Sequence, residues 1–220
     1  MNTTIDTIIF DVGGVLLPNC DDYIKKDIGR VFDLDLSVVE NAWDTLIPLL
    51  YAGKITEAEF WVKFRKITKC EKKIKTEHLL VREMEKRHKP FTDVFDIIEK
   101  LNKNGYKLGI ISNTIKPHIA CHAKHGLFDK FQVRVFSCDV GLKKPDLQIF
   151  NFALKKLDSR PKKTIFIDDL PENVSAAEKL GINGIVFKNG KQLGQALERL
   201  EIKKGALRKI IKAPCGKTPL

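Results

Sequence analysis

The chain has 220 residues, 43% of them hydrophobic and 30% charged, with a formal net charge of +11. That composition supports one globular core with a smaller second lobe and excludes a chain that is disordered throughout. No apolar run approaches the ~18 residues needed to cross a bilayer, so no membrane partner is expected.

The opening Met1-Asn2-Thr3-Thr4-Ile5-Asp6 lacks the basic start of a secretory leader, and a cytoplasmic location is expected. The five cysteines, Cys20, Cys70, Cys121, Cys138 and Cys215, are odd in number and show no CxxC spacing. Both facts argue against a disulfide framework and a zinc site. Most lysines stand beside Glu or Asp, as in Glu71-Lys72-Lys73, and read as solvated helix faces, so a nucleic-acid partner is not expected. The exception is a basic tail, residues 201–220, where Lys203, Lys204, Arg208, Lys209, Lys212 and Lys217 have no acidic neighbour; a frayed terminus is expected there, with an arm that touches anionic partners such as nucleic acid as the alternative.

In chain order, Thr7 to Val12 is a continuously apolar run that predicts a strand buried on both faces, stopping at Asp11 before Gly13-Gly14. From 17 to 90 the pattern turns helical. Val38, Val39, Ala42, Trp43, Leu46, Leu49 and Leu50 recur at steps of three and four, predicting an amphipathic helix that ends near Gly53. Thr56-Glu57-Ala58-Glu59 forms a capping box, with Ile55 and Phe60 as its hydrophobic staple. The helix that follows carries Trp61 and Phe64, and a further one carries Leu79, Leu80 and Met84. Trp43, Phe60, Trp61 and Phe64 are expected in the core of this helical insert.

After Pro90, helix and strand alternate, which is the pattern of a parallel α/β sheet. Strands are expected at Tyr106–Ile111, Val133–Phe136, Thr164–Ile167 and Gly184–Phe187. Helices are expected through Val94–Leu101, up to His125, through Leu147–Leu157 with Pro145 in the first turn, from Pro171, and over Gln192–Leu200. The fold class is therefore α/β: a Rossmann-like parallel sheet with helices on both faces, plus an all-helical cap inserted after the first strand. The expected division is 1–16 with 91–200 as core, 17–90 as cap and 201–220 as tail.

Asp11, Ser112 and the pair Asp168-Asp169 each close a predicted strand, and Lys144 stands at a helix start on the same side. In an open parallel sheet such positions share one edge, where ligands bind. Clustered carboxylates require a cation, and hard oxygen donors suit Mg²⁺. Ser112, the amides after it and the Lys144 ammonium can hold phosphoryl oxygens. At ~4 Å and an effective dielectric near 20, Lys144 would gain about 4 kcal/mol with Asp11. An ionised Asp11 can then attack phosphorus in line, giving an aspartyl-phosphate that water hydrolyses.

Phe10-Asp11-x-Gly13-Gly14-Val15, Ile111-Ser112-Asn113-Thr114, Lys144-Pro145-Asp146 and Ile167-Asp168-Asp169-x-x-Glu172-Asn173 together resemble the haloacid dehalogenase-like (HAD) hydrolase superfamily, from residue 5 to about 200. The helical insert resembles that superfamily's C1 cap, and the motifs are most similar to a branch that includes α-D-glucose-1-phosphate phosphatase. The resemblance implies a Mg²⁺-dependent phosphatase acting on a small phosphorylated substrate, possessing Asp11 as nucleophile and metal ligand. It further implies the Gly13 carbonyl and Asp169 as metal ligands with Asp168 behind them, and Ser112, Asn113 and Lys144 on the phosphate. A monomer or weak dimer is expected.

One departure stands out. The commoner first motif is Asp-x-Asp, whose second Asp is the general acid, and this chain has Gly13 there. Asp21 and Asp22 are candidates to replace it, and a substrate with a good leaving group would need it least. His118, His122 and His125 fall at helical spacing and are expected on a solvated face rather than on a metal. Three rivals remain at this point. A 2-haloacid dehalogenase would not need the acidic pair. A receiver-type signalling domain would place that pair near its N-terminus. In a non-catalytic binder, Gly13 would mark lost chemistry.

Overall fold

A computed structural model describes residues 4–200, so the basic tail lies outside the described residues. Five strands, β1 (Thr7–Phe10), β2 (Lys107–Ser112), β3 (Val133–Phe136), β4 (Thr164–Asp168) and β5 (Asn183–Val186), form one parallel sheet in the order β3-β2-β1-β4-β5. β1 is central and completely buried, as its unbroken apolar sequence requires.

Side-chain alternation along β1 splits the core in two. Ile8 and Phe10 pack with Val94, Ile97, Ile98 and Leu101 of α5 (Thr92–Lys103) and with Leu193 and Leu197 of α10 (Gly190–Arg199). Ile9 points the other way. It joins Ile149, Phe150 and Leu154 of α8 (Leu147–Lys156) and Ala176 and Ala177 of α9 (Pro171–Glu178). Each buried Ile or Phe contributes roughly 1.5–3 kcal/mol, so a one-residue slip of β1 would expose the whole set to the wrong layer.

Between β1 and α5 the chain makes α1 (Asp21–Phe32), α2 (Leu36–Tyr51), α3 (Glu57–Thr68) and α4 (Leu79–Lys86). These helices bury a cluster of their own, including Phe32, Trp43, Phe60, Trp61 and Phe64, with Phe32 and Trp61 stacked at 5.6 Å. α3 starts on the expected capping box, Thr56 and Glu59 bonding each other's backbone.

Beyond the sheet core lie α6 (Lys116–Lys124) and the single turn α7 (Ser137–Val140), the latter not expected from sequence. Pro145 is a correction. It sits ahead of α8 rather than in its first turn, with Asp146 as N-cap and a cis peptide bond joining it to Lys144. Lys144 is thus a loop residue. No helix among the described residues is long and apolar enough to cross a membrane.

Candidate active site

The register of β1 pairs Phe10 with Ile110 on one side and Ile167 on the other. Asp11, Ser112 and Asp168 therefore leave the sheet at nearly the same level. The Asp11 N–H donates to the Ile167 carbonyl at 2.9 Å, extending the ladder by one residue before the chain turns. That turn is held by the Gly14 N–H on the Leu17 carbonyl at 2.8 Å. Gly14 has φ +77°, and a Cβ there would lie 2.2 Å from Asp169 Oδ2. Only glycine permits both the conformation and the approach of that carboxylate.

Lys144 is the electrostatic centre, 3% exposed among acids. Its Nζ lies 2.8 Å from Asp11 Oδ1 and 2.7 Å from Asp168 Oδ2. Asn113 fixes the lysine's backbone: its Oδ1 accepts from the Lys144 N–H at 2.8 Å and its Nδ2 donates to the Lys144 carbonyl at 2.9 Å. The Asn113 side chain is thereby committed to placing Lys144, where the sequence had put it on the phosphate.

Asp168 is fully buried, and both its oxygens are occupied. Oδ1 accepts from the Leu170 N–H at 2.9 Å and from Asn173 Nδ2 at 3.0 Å, while Oδ2 takes Lys144. Asn173 is a site residue that the sequence reading missed; its five-residue spacing from Asp168 across the start of α9 is the signal that could have found it. Asp11 Oδ1 accepts from the Val12 N–H at 2.7 Å as well as facing Lys144, and among the described residues no hydrogen bond holds Oδ2.

Burial pushes the Asp11 carboxyl up to about 7; Lys144 pulls it down and Asp168 adds to the rise. Burial and then Asp168 also raise Asp169. Burial opposes the charge on Lys144, yet Asp11 and Asp168 hold its pKa above the ordinary lysine value. One oxygen each from Asp11, Asp168 and Asp169 lies within 4.8 Å of the others.

Asp11, Asn113, Lys144 and Asp169 line one crevice of about 170 Å³, with Asp168 buried behind them; the crevice also includes Gly13, Ser112, Thr114 and, from the helical layer, Asp21, Tyr51 and Met84. The two acids at the start of α1 part company. Asp22 is exposed and paired with Lys25, whereas Asp21 lines the crevice and accepts from the Tyr51 hydroxyl at 3.4 Å. Burial raises the Asp21 carboxyl, with Lys25 opposing.

The histidines correct the sequence expectation. His118 and His122 are buried, 4% and 3% exposed, on the face of α6 that meets the crevice and α4, not on a solvated face. His118 Nε2 lies 2.9 Å from the Leu80 carbonyl and donates to it. Of the three, His125 alone is exposed. The missed signal was the i, i+3, i+4 stripe of His118, Cys121 and His122 on one helix face.

A family model for haloacid dehalogenase-like hydrolases matches residues 5–181. Among relatives, sesquiterpene phosphatase astK of Aspergillus oryzae is 26% identical over 205 residues, covering 84% of this chain and 91% of that one. The chain spans far less, 19% and 36%, of the two longer curated relatives that follow. Among solved structures, a predicted HAD-like family hydrolase from Porphyromonas gingivalis superposes with TM-score 0.74 at 26% identity, over 91% of this chain and all of that one. A HAD family enzyme from Bacteroides thetaiotaomicron, in complex with magnesium and inorganic phosphate, superposes with TM-score 0.69 at 25% identity, over 84% and 96% of the two chains. With this family model spanning most of the chain, and the motif residues meeting at one sheet edge, the protein belongs to the haloacid dehalogenase-like hydrolases.

Proposed function

We propose that the chain is a Mg²⁺-dependent phosphomonoesterase that works through an aspartyl-phosphate on Asp11 and acts on a small phosphorylated metabolite such as a sugar phosphate. The observation that carries this reading is the convergence of Asp11, Ser112, Lys144 and Asp169 on one crevice, with Lys144 Nζ 2.8 Å from the attacking carboxylate. The phosphatase named among the relatives and the magnesium and phosphate of the Bacteroides enzyme support it. So does size: about 170 Å³ is below the range typical of drug-sized ligands, which favours a small substrate.

The donor set fits magnesium. Three clustered carboxylates face one ammonium, leaving negative charge uncompensated when all are ionised, and the donors are hard oxygens. Asp11, Asp169 and the Gly13 carbonyl would hold the ion; Asp168, its oxygens already bonded, supports Lys144 instead. When bound, the ion supplies neutralisation of charge developing on the phosphoryl oxygens.

The chain's own groups do the rest. Ser112, the amides beyond it and Lys144 hold the phosphoryl group. The Asp11 carboxylate, one oxygen steadied by Val12 and Lys144, attacks phosphorus as the bond to the leaving oxygen breaks. Water then attacks the same phosphorus, releasing inorganic phosphate and freeing Asp11. Asp21 is positioned to protonate the leaving oxygen in place of the acid absent at Gly13, its burial favouring the protonated form. In this scheme residues 17–90 act as a cap that excludes water from the crevice between 1–16 and 91–200.

Phosphate release from a panel of sugar, acyl and nucleotide phosphates, with Mg²⁺ and with excess EDTA, tests the reading beside Asp11→Asn. The expected outcome is turnover that needs Mg²⁺ and falls at least ~10³-fold in the variant. Turnover that survives EDTA would overturn it, and halide release from 2-haloacids under those conditions would put a dehalogenase in its place.

A further inference from the structure

A second group of donor atoms gathers outside the crevice, where the helical layer rejoins the sheet. His88 lies on the connection between α4 and α5, Cys121 lies within α6, and His125 caps the C-terminus of α6. One donor atom from each residue lies within 4.8 Å of the other two. Cys121 and His125 are four apart, which sets them on one side of the helix end. Cys121 is buried, His88 is half-buried and His125 is exposed, so the group opens to solvent on one side.

We propose that His88, Cys121 and His125 bind a zinc-type divalent cation that ties the connection leaving the helical layer to α6. Imidazole and thiolate are the donors such ions prefer, and they are poor donors for magnesium. Around a tetrahedral zinc with bonds of ~2.0–2.3 Å, donor atoms stand about 3.3–3.6 Å apart. The three donors lie within 4.8 Å of one another, and side-chain rotation would draw them in to that spacing. The rings of His88 and His125 stack with centroids 4.2 Å apart, an arrangement that two imidazolium ions would resist. Burial and the neighbouring His125 indeed hold His88 below the usual histidine value, leaving lone pairs for a metal near neutral pH.

His88 also has a partner that orients its ring. Its Nδ1 lies 3.2 Å from Nδ1 of His122, a contact in which one proton is shared between the two imidazoles. His122 lines the catalytic crevice, which puts the proposed ion one side chain away from it. Burial, with Glu85 next, raises the Cys121 thiol, so loading the ion displaces a proton and weakens at acid pH. The CxxC-type spacing that would announce such a site is absent from the sequence because one ligand comes from a connection more than thirty residues earlier in the chain.

The test uses the full chain with Mg²⁺ in excess, so that the carboxylate crevice is occupied, and titrates Co²⁺ and Zn²⁺. Expected are a cobalt–thiolate charge-transfer absorption, a rise in Tm with Zn²⁺, and unchanged Zn²⁺ binding in Asp11→Asn. Cys121→Ser should abolish the absorption and weaken Zn²⁺ at least tenfold. His125→Ala, at an exposed position where folding is not at stake, should weaken Zn²⁺ to a similar degree. Absence of the thiolate absorption, equal Zn²⁺ affinity in His125→Ala, or loss of Zn²⁺ binding in Asp11→Asn would each overturn the site. None of these readouts requires the chain to be a phosphatase.

Discussion

Gly13 and Gly14 are neighbours with opposite constraints. At Gly14 a side chain would run into Asp169, and φ is positive, so no other residue fits. At Gly13 a Cβ meets nothing within 4 Å, and φ is not in the left-handed region. Glycine at 13 is therefore not demanded by packing, and the missing carboxyl is a chemical feature rather than a steric one. Gly13→Asp should fold normally and add, beside Asp21, a second proton donor at the position where the commoner motif carries one. The expected result is a gain of roughly 10²-fold in kcat/KM on unactivated alkyl phosphates, with little change on acyl or anomeric sugar phosphates, whose leaving groups need no acid. A uniform change across both substrate classes would show that proton transfer to the leaving group does not limit this enzyme.

At the scale of elements, the helical layer does more than cover the crevice: α1 and α2 deliver Asp21 and Tyr51 into it. The Asp21 carboxyl is raised by burial, and Tyr51 is held well above its ordinary value by burial and then by Asp21. Asp21→Asn keeps the shape and the partner while removing the proton, so kcat should fall about 10–10²-fold with KM little altered, and the alkaline limb of the kcat–pH profile should disappear. A structural role alone would lower Tm without reshaping that profile. The strands that carry Asp11, Ser112 and Asp168 were legible because fully buried parallel strands are written as unbroken apolar runs. α6 was not legible in the same way. Its buried stripe is made of His118, Cys121 and His122, two of them histidines that are equally at home in water, and only α4 packed against it decides which face is inside. The bonds from the Asn113 side chain to the Lys144 backbone were not legible, because the loop that brings Lys144 to it has no periodic pattern to read.

At the scale of the whole molecule, two sets of titrating groups pull stability in opposite directions as pH falls. Asp11, pushed up to about 7, binds its proton in the folded state before the unfolded chain does. Its contribution is therefore complete below the unfolded value of 3.8 and is lost as pH rises from there to about 7, in the absence of metal. The buried histidines run the other way. Burial lowers His118 to about 4, with the Leu80 hydrogen bond opposing, and lowers His122 to about 3, with His118 next. The unfolded chain takes up those protons near 6.5, so each histidine's contribution is complete above 6.5 and is lost as pH falls toward its folded value. A single Tm–pH curve mixes both sets, but a variant that keeps the carboxylates and removes one imidazole separates them. His118→Gln retains a donor for the Leu80 carbonyl and has nothing to titrate. Its stability relative to the parent chain should improve between pH 6.5 and 4, with a slope approaching about 1.4 kcal/mol per pH unit, when both are unfolded by denaturant in EDTA. A stability gap that stays constant across that range would mean that His118 takes up its proton as readily in the folded protein as in the unfolded chain, and that water reaches the inner face of α6.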